Sequence, residues 1–394
     1  MKKNGRKQGG IWLLIAGLLA GMLAGCGQKD SGEREEISAV REEKEGTELA
    51  GLTYQSSMEL QYAEEFDVSY YEGGYALIDV HDSARYLVIP EGKEAPEGLE
   101  DDVILLPRPL DHIYLAATSA MSLFDSLDAL DAVKMSGTLA SGWYIENAVT
   151  AMTEGRMLFA GKYDEPDYEL LVNQGCDLAV ESTMILHSPK VQEMIEMLGI
   201  PVFIDRSSYE THPLGRTEWI KLYGVMMGKE EEAEAFFEQQ AQVITDLKDF
   251  PNTEKTVAFF YISTDGSAVV RKSDDYIPRM IELGGGRYVF DHLENLESKS
   301  ASVSMTMEEF YAAAVDADYL IYNGTIDGSI STTEELVAKS ELLADFKAVK
   351  EGNVWCTGTY FYQATDVVGN MITDVNRMLT GEEDSQMTFL KKVD

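Results

Sequence analysis

The residues able to do chemistry in this chain are few enough to weigh one by one. Arginine is sparse in a sequence holding 32 Lys+Arg against 69 Asp+Glu, a formal charge of −37, so where arginines fall is informative. Arg206, Arg216 and Arg271 lie at or near the ends of apolar runs. A guanidinium offers a planar fork that grips carboxylate or phosphate oxygens in pairs, whereas an exposed ion pair with the abundant acids would contribute little. Aromatic residues gather at Trp143, Tyr144, Tyr360, Phe361 and Tyr362. Flat rings suit a large, partly apolar ligand, although any one of them could instead fill a core. Trp143 follows Ser141 and Gly142, which suggests a loop. The five histidines, His81, His112, His187, His212 and His292, form no metal-binding spacing, and no resident metal or cofactor is expected. His187 could at most reach a metal carried by a ligand. No Gly-x-Ser-x-Gly elbow, Walker A loop or Gly-x-Gly-x-x-Gly fingerprint occurs. Gly284-Gly285-Gly286 closes a helical stretch, as a cap would, and does not open one. The chemistry is that of binding, not catalysis. The acidity excludes recognition of nucleic-acid phosphates.

These residues need a scaffold. Tyr75–Val80 and Tyr86–Ile89 read as strands parted by turn-forming residues, and Val103–Leu106 and Ile113–Leu115 as further strands. Helical and strand-like stretches then alternate: Met121–Leu130, Tyr168–Asn173, Leu178–Val180, Ser188–Leu198 and Ile200–Ile204. That alternation predicts a mostly parallel sheet with helices on its faces. Thr217–Met227 and Lys229–Lys248 read as helices separated by Gly228, the second with Ala233, Phe237, Ala241 and Ile244 at helical spacing. A second α/β unit follows, with Val257–Ile262, Tyr276–Leu283, Glu308–Val315, Tyr319–Tyr322, Val354–Cys356 and Asp366–Leu379. Two such units leave a cleft between them, and open α/β sheets bind ligands beyond the carboxyl ends of their strands. That rule selects Thr118, Met184, Arg206, Tyr360 and Tyr362. Trp143, Tyr144, Arg216 and Arg271 complete the candidate ligand set.

The N-terminus is a signal of another kind. Lys2, Lys3, Arg6 and Lys7 precede an apolar run from Ile11 to Leu23, short for a bilayer span. The run ends in Leu23-Ala24-Gly25-Cys26, which resembles the lipobox of bacterial lipoproteins. The resemblance implies cleavage before Cys26, a diacylglycerol on its sulfur, and an extracytoplasmic place on the cell membrane held by that lipid alone. A plain secretory signal or an uncleaved anchor is the alternative. Residues 27–50 are charged and free of aromatics and read as a solvated tether. Cys176 and Cys356 sit in apolar settings and read as buried free thiols, with a disulfide as the other option.

Several ordered blocks carry a wider resemblance. They are Ile113 to Ser119, Gly161-Lys162-Tyr163 with Pro166 to Glu169, Cys176 to Val180, Leu198 to Val202, His212 to Trp219, Leu283 to Gly286, and the stretch around Tyr362-Gln363. Together they resemble the metal-chelate cluster of ABC-importer substrate-binding proteins, which serve ferric siderophores, haem and cobalamin. The resemblance implies an α/β fold of two Rossmann-like lobes joined by a single long helix. On this chain that gives a signal peptide at 1–25, a tether at 26–51, lobes at 52–213 and 251–394, and a helical bridge at 214–250. It implies an ABC permease and ATPase as partners, a monomer, and small rocking of the lobes rather than wide closure. The implied ligand is an iron siderophore, with a corrinoid or haem next. One acidic residue on each lobe would dock the permease: Glu169, and Glu309 with Glu308 as its alternate. Otherwise these are first-turn glutamates favoured by the helix dipole. A ligand sensor or an adhesion lipoprotein is the reading from another class.

Overall fold

A computed structural model describes residues 49–293, 300–381 and 386–394. The signal-type segment, Cys26 and nearly all of the tether lie outside the described residues.

The first sheet has five strands: β1 (Tyr54–Ser57), β2 (Phe66–Tyr71), β3 (Tyr75–Val80), β4 (Arg85–Ile89) and β5 (Val103–Pro107), in that order. Its pairs are antiparallel except β4–β5. Alternation along β2 and β3 turns Phe66, Val68, Ala76, Ile78 and Val80 into the main core of the N-terminal half, as a half-buried strand requires. Leu87, Ile89 and Val103 form a small core on the other face. The apolar runs foretold the strands but not a separate sheet, because a short run does not say which neighbour it pairs with.

The second sheet is parallel throughout. Its order is β12 (Val202–Asp205), β11 (Leu178–Ser182), β6 (Ile113–Leu115), β7 (Val133–Ser136), β8 (Leu158–Phe159). A small hairpin, β9 (Gly161–Lys162) with β10 (Glu165–Pro166), follows β8. Strand residues are buried on both faces, as parallel sheets demand. Leu178, Val180 and Phe203 meet Trp219 and Tyr223 on one side, while Tyr114, Ala179, Leu171 and Ile195 pack on the other.

The third sheet is mixed. β13 (Thr256–Ile262), β17 (Tyr319–Tyr322) and β18 (Val354–Thr357) are parallel neighbours. β14 (Ala268–Arg271) and β16 (Ser302–Met305) extend it antiparallel on one flank, β19 (Leu390–Lys392) does so on the other, and β15 (Arg287–Tyr288) adds a short parallel pairing to β13. The expected α/β architecture with a largely parallel centre is borne out; the antiparallel flanks were not anticipated.

The 214–250 stretch holds two helices parted at Gly228, as its sequence implies, and one of them makes the connection between lobes. Pro213–Met227 starts with Pro213 in the first turn and His212 Nδ1 accepting from the Leu214 N–H at 3.2 Å. It stops at Gly228, whose φ of +66° is left-handed, a conformation that favours glycine. Nearly every residue of this helix is buried, so it belongs to the core. The next helix, Glu230–Leu247, makes the passage. Ala233, Phe237 and Ala241 pack in the first core, and Val243, Ile244 and Leu247 against the second. Its 18 residues span about 27 Å at ~1.5 Å each.

Two buried glutamates fasten the first sheet to this region. Glu218 accepts the backbone N–H groups of Gln61, Tyr62 and Ala63 at 2.8, 2.7 and 2.8 Å and pairs with Lys221 at 3.2 Å. Glu210 accepts from Glu64 and Glu65 N–H at 2.8 and 3.1 Å and from Trp219 Nε1 at 2.9 Å. Hydrogen bonds of this kind compensate a buried carboxyl in part; burial still holds Glu210 above its ordinary pKa against the bonds from Trp219, Glu64 and Glu65.

Candidate ligand cleft

On the C-terminal lobe, Arg271 ends β14 and its guanidinium donates to Tyr362 Oη at 2.8 Å and to Ser302 Oγ at 3.3 Å. Asn323, at the carboxyl end of β17, donates its amide to the same Tyr362 oxygen at 2.8 Å. Asp275 stands 3.7 Å from Arg271 Nε. Burial opposes the Arg271 charge, but Asp275 and the neighbouring tyrosines more than restore it, so its pKa lies above the ordinary value. Burial raises Tyr362, against the influence of Arg271. Phe259, Tyr261, Ile326 and these polar groups line a recess of about 90 Å³. A preorganised cation flanked by amide and phenol donors among apolar walls can hold an anionic or oxygen-rich group of a ligand.

On the N-terminal lobe, the loops after the strands expose large apolar side chains. Leu139 and Tyr144 follow β7, Phe159 ends β8, Met184 follows β11, and Tyr209 follows β12; all are well exposed. Solvated apolar residues on loops at one end of a sheet are a mark of binding surface. The lobes meet beside them. Gln363 accepts from the Tyr144 N–H at 2.9 Å and donates to the Gly142 carbonyl at 2.7 Å. Ser126 Oγ donates to Asp366 at 2.9 Å, and Thr217 Oγ1 to the Thr365 carbonyl at 2.8 Å. Tyr144 is thus tied through Gln363 to the turn that carries Tyr362.

The structure sorts the sequence candidates. Arg271 and Tyr362 come together. Thr118, Tyr144 and Met184 are exposed on the loops beyond their strands. Trp143 is not in a binding loop: it is 4% exposed within the main core, and its Nε1 donates to Ser136 Oγ at 3.1 Å. The Ser-Gly pair before it is a single 3₁₀ turn that feeds the ring inward. Arg206 is spent internally, donating twice to Glu65 at 2.8 and 3.0 Å and stacking over Tyr209. Arg216 lies buried in the seam, its guanidinium 4.2 Å from the Tyr276 ring centre, and its charge favours the ionised forms of Asp205 and Asp275 against burial. Tyr360 packs on Phe389 and donates its hydroxyl to the Thr388 carbonyl, so it anchors the last strand. Cys176 and Cys356 are free thiols.

Glu169 is exposed in the first turn of the Tyr168–Asn173 helix. Glu309 is exposed too, but its carboxylate is occupied in a capping box, accepting from Thr306 N and Oγ1 at 2.8 and 3.0 Å, which lowers its pKa. Glu308 beside it carries no such bond among the described residues.

Sequence reasoning placed Asn323 beyond a strand end and Gln363 in a family block without choosing either as a ligand candidate, and it passed over Ser302 and Glu181. Glu181 sits at the end of β11, fully buried, with neither carboxylate oxygen partnered among the described residues. Burial pushes its pKa up to about 8. Its one sequence signal is a lone acid in an apolar strand run. Among the described residues one group with metal-like spacing occurs, Asp111, His112 and Asp177, at the amino ends of the strands and away from the cleft. Asp177 Oδ2 accepts the N–H groups of Asp111 and His112 at 2.8 and 3.0 Å, and His112 Nδ1 meets Asp111 Oδ1 at 2.7 Å, while Asp177 Oδ1 is buried without a partner among the described residues. The larger cavity, about 460 Å³, is also at that end, lined by Arg108, Leu110, Asp131 and Met227 among others. The cleft, not this cavity, has the exposed apolar rim at the carboxyl ends of the strands.

The chain belongs to the periplasmic binding protein family, whose sequence profile matches residues 136–359. The first sheet precedes that match. In fold the chain is similar to the periplasmic haem binding protein HutB of Vibrio cholerae, at 17% identity and a TM-score of 0.54, covering 68% of this chain and 97% of that one. It is equally similar to the petrobactin-binding protein YclQ of Bacillus subtilis, at 17% identity and a TM-score of 0.54, covering 70% and 93%. In sequence it is 23% identical over 335 residues to an uncharacterized lipoprotein of Methanocaldococcus jannaschii, covering 77% of each. The resemblance to substrate-binding proteins is borne out in the family, and the likeness to the haem- and petrobactin-binding proteins is one of fold. The family is one of extracytoplasmic binding proteins, and its relatives here include named lipoproteins. No described helix is long and apolar enough to cross a membrane.

Proposed function

We propose that this protein is the lipid-anchored receptor of an ABC importer, capturing a metal chelate in the cleft and delivering it to the permease. The observation that carries the reading is Arg271, held by Tyr362 and Ser302 beside Asn323 in an apolar-walled recess. A partly apolar ligand with anionic oxygens suits that arrangement, which favours a ferric siderophore over cobalamin or haem. The metal then arrives as cargo inside the ligand. Lipid on Cys26 would supply the membrane attachment that a chain of −37 charge lacks on an anionic surface. Exposed Glu169 and, on the other lobe, Glu308 beside the self-capped Glu309 are the acids we assign to arginines of the permease, where they would set orientation and speed of encounter.

Titration of the purified chain with ferric siderophores, haem and cobalamin, followed by intrinsic tryptophan fluorescence, tests the reading. Saturation by a ferric siderophore, weakened at least tenfold by Arg271→Ala, is the expected result. No saturable response to any of the three ligands would refute it. A Glu169→Arg chain should keep its ligand affinity and lose uptake in cells.

A further inference from the structure

The cavity of about 460 Å³ lies where the first sheet, the amino ends of β6 and β7, and the end of the Pro213–Met227 helix converge. Arg108 lines it. Five other described arginines are ion-paired: Arg85 with Glu100 and Asp102, Arg156 with Glu154 and Asp131, Arg206 with Glu65, Arg279 with Glu282 and Arg287 with Glu254. Arg108 is half-buried and its guanidinium, among the described residues, has no hydrogen-bond or ion-pair partner. Its position is built. A Cβ at Gly228 would fall 2.6 Å from its Nη1, so the glycine that ends the helix also makes room for the guanidinium. The negative end of that helix favours a cation there but leaves the guanidinium fork without an acceptor.

The remaining lining restricts what could fill the cavity. Leu110, Met226 and Met227 give it an apolar wall, and Glu91, Asp111 and Asp131 bring negative charge. Asp111 is engaged by His112 and Asp131 by Arg156, whereas Glu91 has no partner among the described residues. A dianion such as a phosphate monoester would meet repulsion from these acids. A fatty carboxylate would satisfy Arg108 but leave Glu91 unopposed. A ligand carrying both charges on an apolar body satisfies all three features.

We propose that this cavity is a second binding site, for a small zwitterion of dipeptide size. Its carboxylate is held by Arg108, its ammonium by Glu91, and its apolar body by Leu110, Met226 and Met227. The site lies at the opposite end of the parallel sheet from the cleft and stands independently of the proposed import function.

The test is isothermal titration of the purified chain with leucyl-leucine. Saturable binding at one site is expected, weakened at least tenfold by Arg108→Gln and unchanged by Arg271→Ala in the cleft. N-acetyl-leucyl-leucine and leucyl-leucine amide, each lacking one charge, should bind at least tenfold more weakly to the unaltered chain, which keeps the test valid even if Arg108→Gln folds poorly. Absence of saturable binding at millimolar dipeptide, equal affinity for the blocked dipeptides, or equal affinity in a folded Arg108→Gln chain would each overturn the proposal.

Discussion

Glu181 should make the stability of this protein fall as pH rises toward 8, and the effect can be isolated by one substitution. Its carboxyl is buried at the end of β11 beside Tyr114 and Tyr168 and without a hydrogen-bond partner among the described residues. The fold therefore holds the proton with a pKa of about 8, against 4.5 for the free side chain. Between those values the folded state binds more protons than the unfolded state, so stability is highest at or below the lower value and declines up to the upper one. Near pH 5.5 the unfolded chain has gained only about 1 kcal/mol by ionising this group; by pH 8.0 it has gained roughly 5 kcal/mol and the folded chain well under ~1 kcal/mol, so the group costs the fold about 3 kcal/mol across that interval. Glu181→Gln keeps the shape and removes the titration. Urea unfolding of both chains at pH 5.5 and 8.0 should show the variant gaining about 3 kcal/mol relative to the parent at the higher pH. A relative change below about 1 kcal/mol would refute a protonated, unpartnered Glu181.

The same interior supports three further expectations. Arg206→Ala should lower stability by about 2 kcal/mol, because Glu65 is left half-buried and unpaired, yet leave ligand affinity unchanged; weakened ligand binding would return Arg206 to the cleft. Glu218→Ala strands three backbone N–H groups and leaves Lys221 with Glu234 as its carboxylate partner, and should cost about 3–5 kcal/mol in urea unfolding. Gly228→Ala forces a side chain into left-handed backbone and against Arg108, for a loss of about 1–2 kcal/mol in the same assay.

Much of the architecture was legible because periodicity is a local property. Helical spacing announced the Glu230–Leu247 passage between cores, and Gly228 marked the break before it. Short apolar runs marked β3, β6, β13 and β17 closely. Pairing is not local. Nothing in Val103–Pro107 says that it lies parallel to β4, and nothing in Ala268–Arg271 says that it flanks a parallel sheet; both follow from which edges remain open after collapse. The candidate site divides in the same way. The rule that ligands gather beyond strand ends picked out Thr118 and Met184, which are exposed on the loops it named, and Tyr362 and Arg271 are neighbours. The expected exposure failed for Trp143 and Arg206 because a residue type does not reveal its partner: a single turn buried the indole, and Glu65, 141 positions away, claimed the guanidinium. By itself the sequence determined the class of protein, since composition, block order and helix spacing are carried residue by residue. Only the tertiary structure decided which charges are neutralised within the fold, leaving Arg271 in a recess and the Arg108 guanidinium without a partner among the described residues, because that depends on side chains brought together from distant parts of the chain.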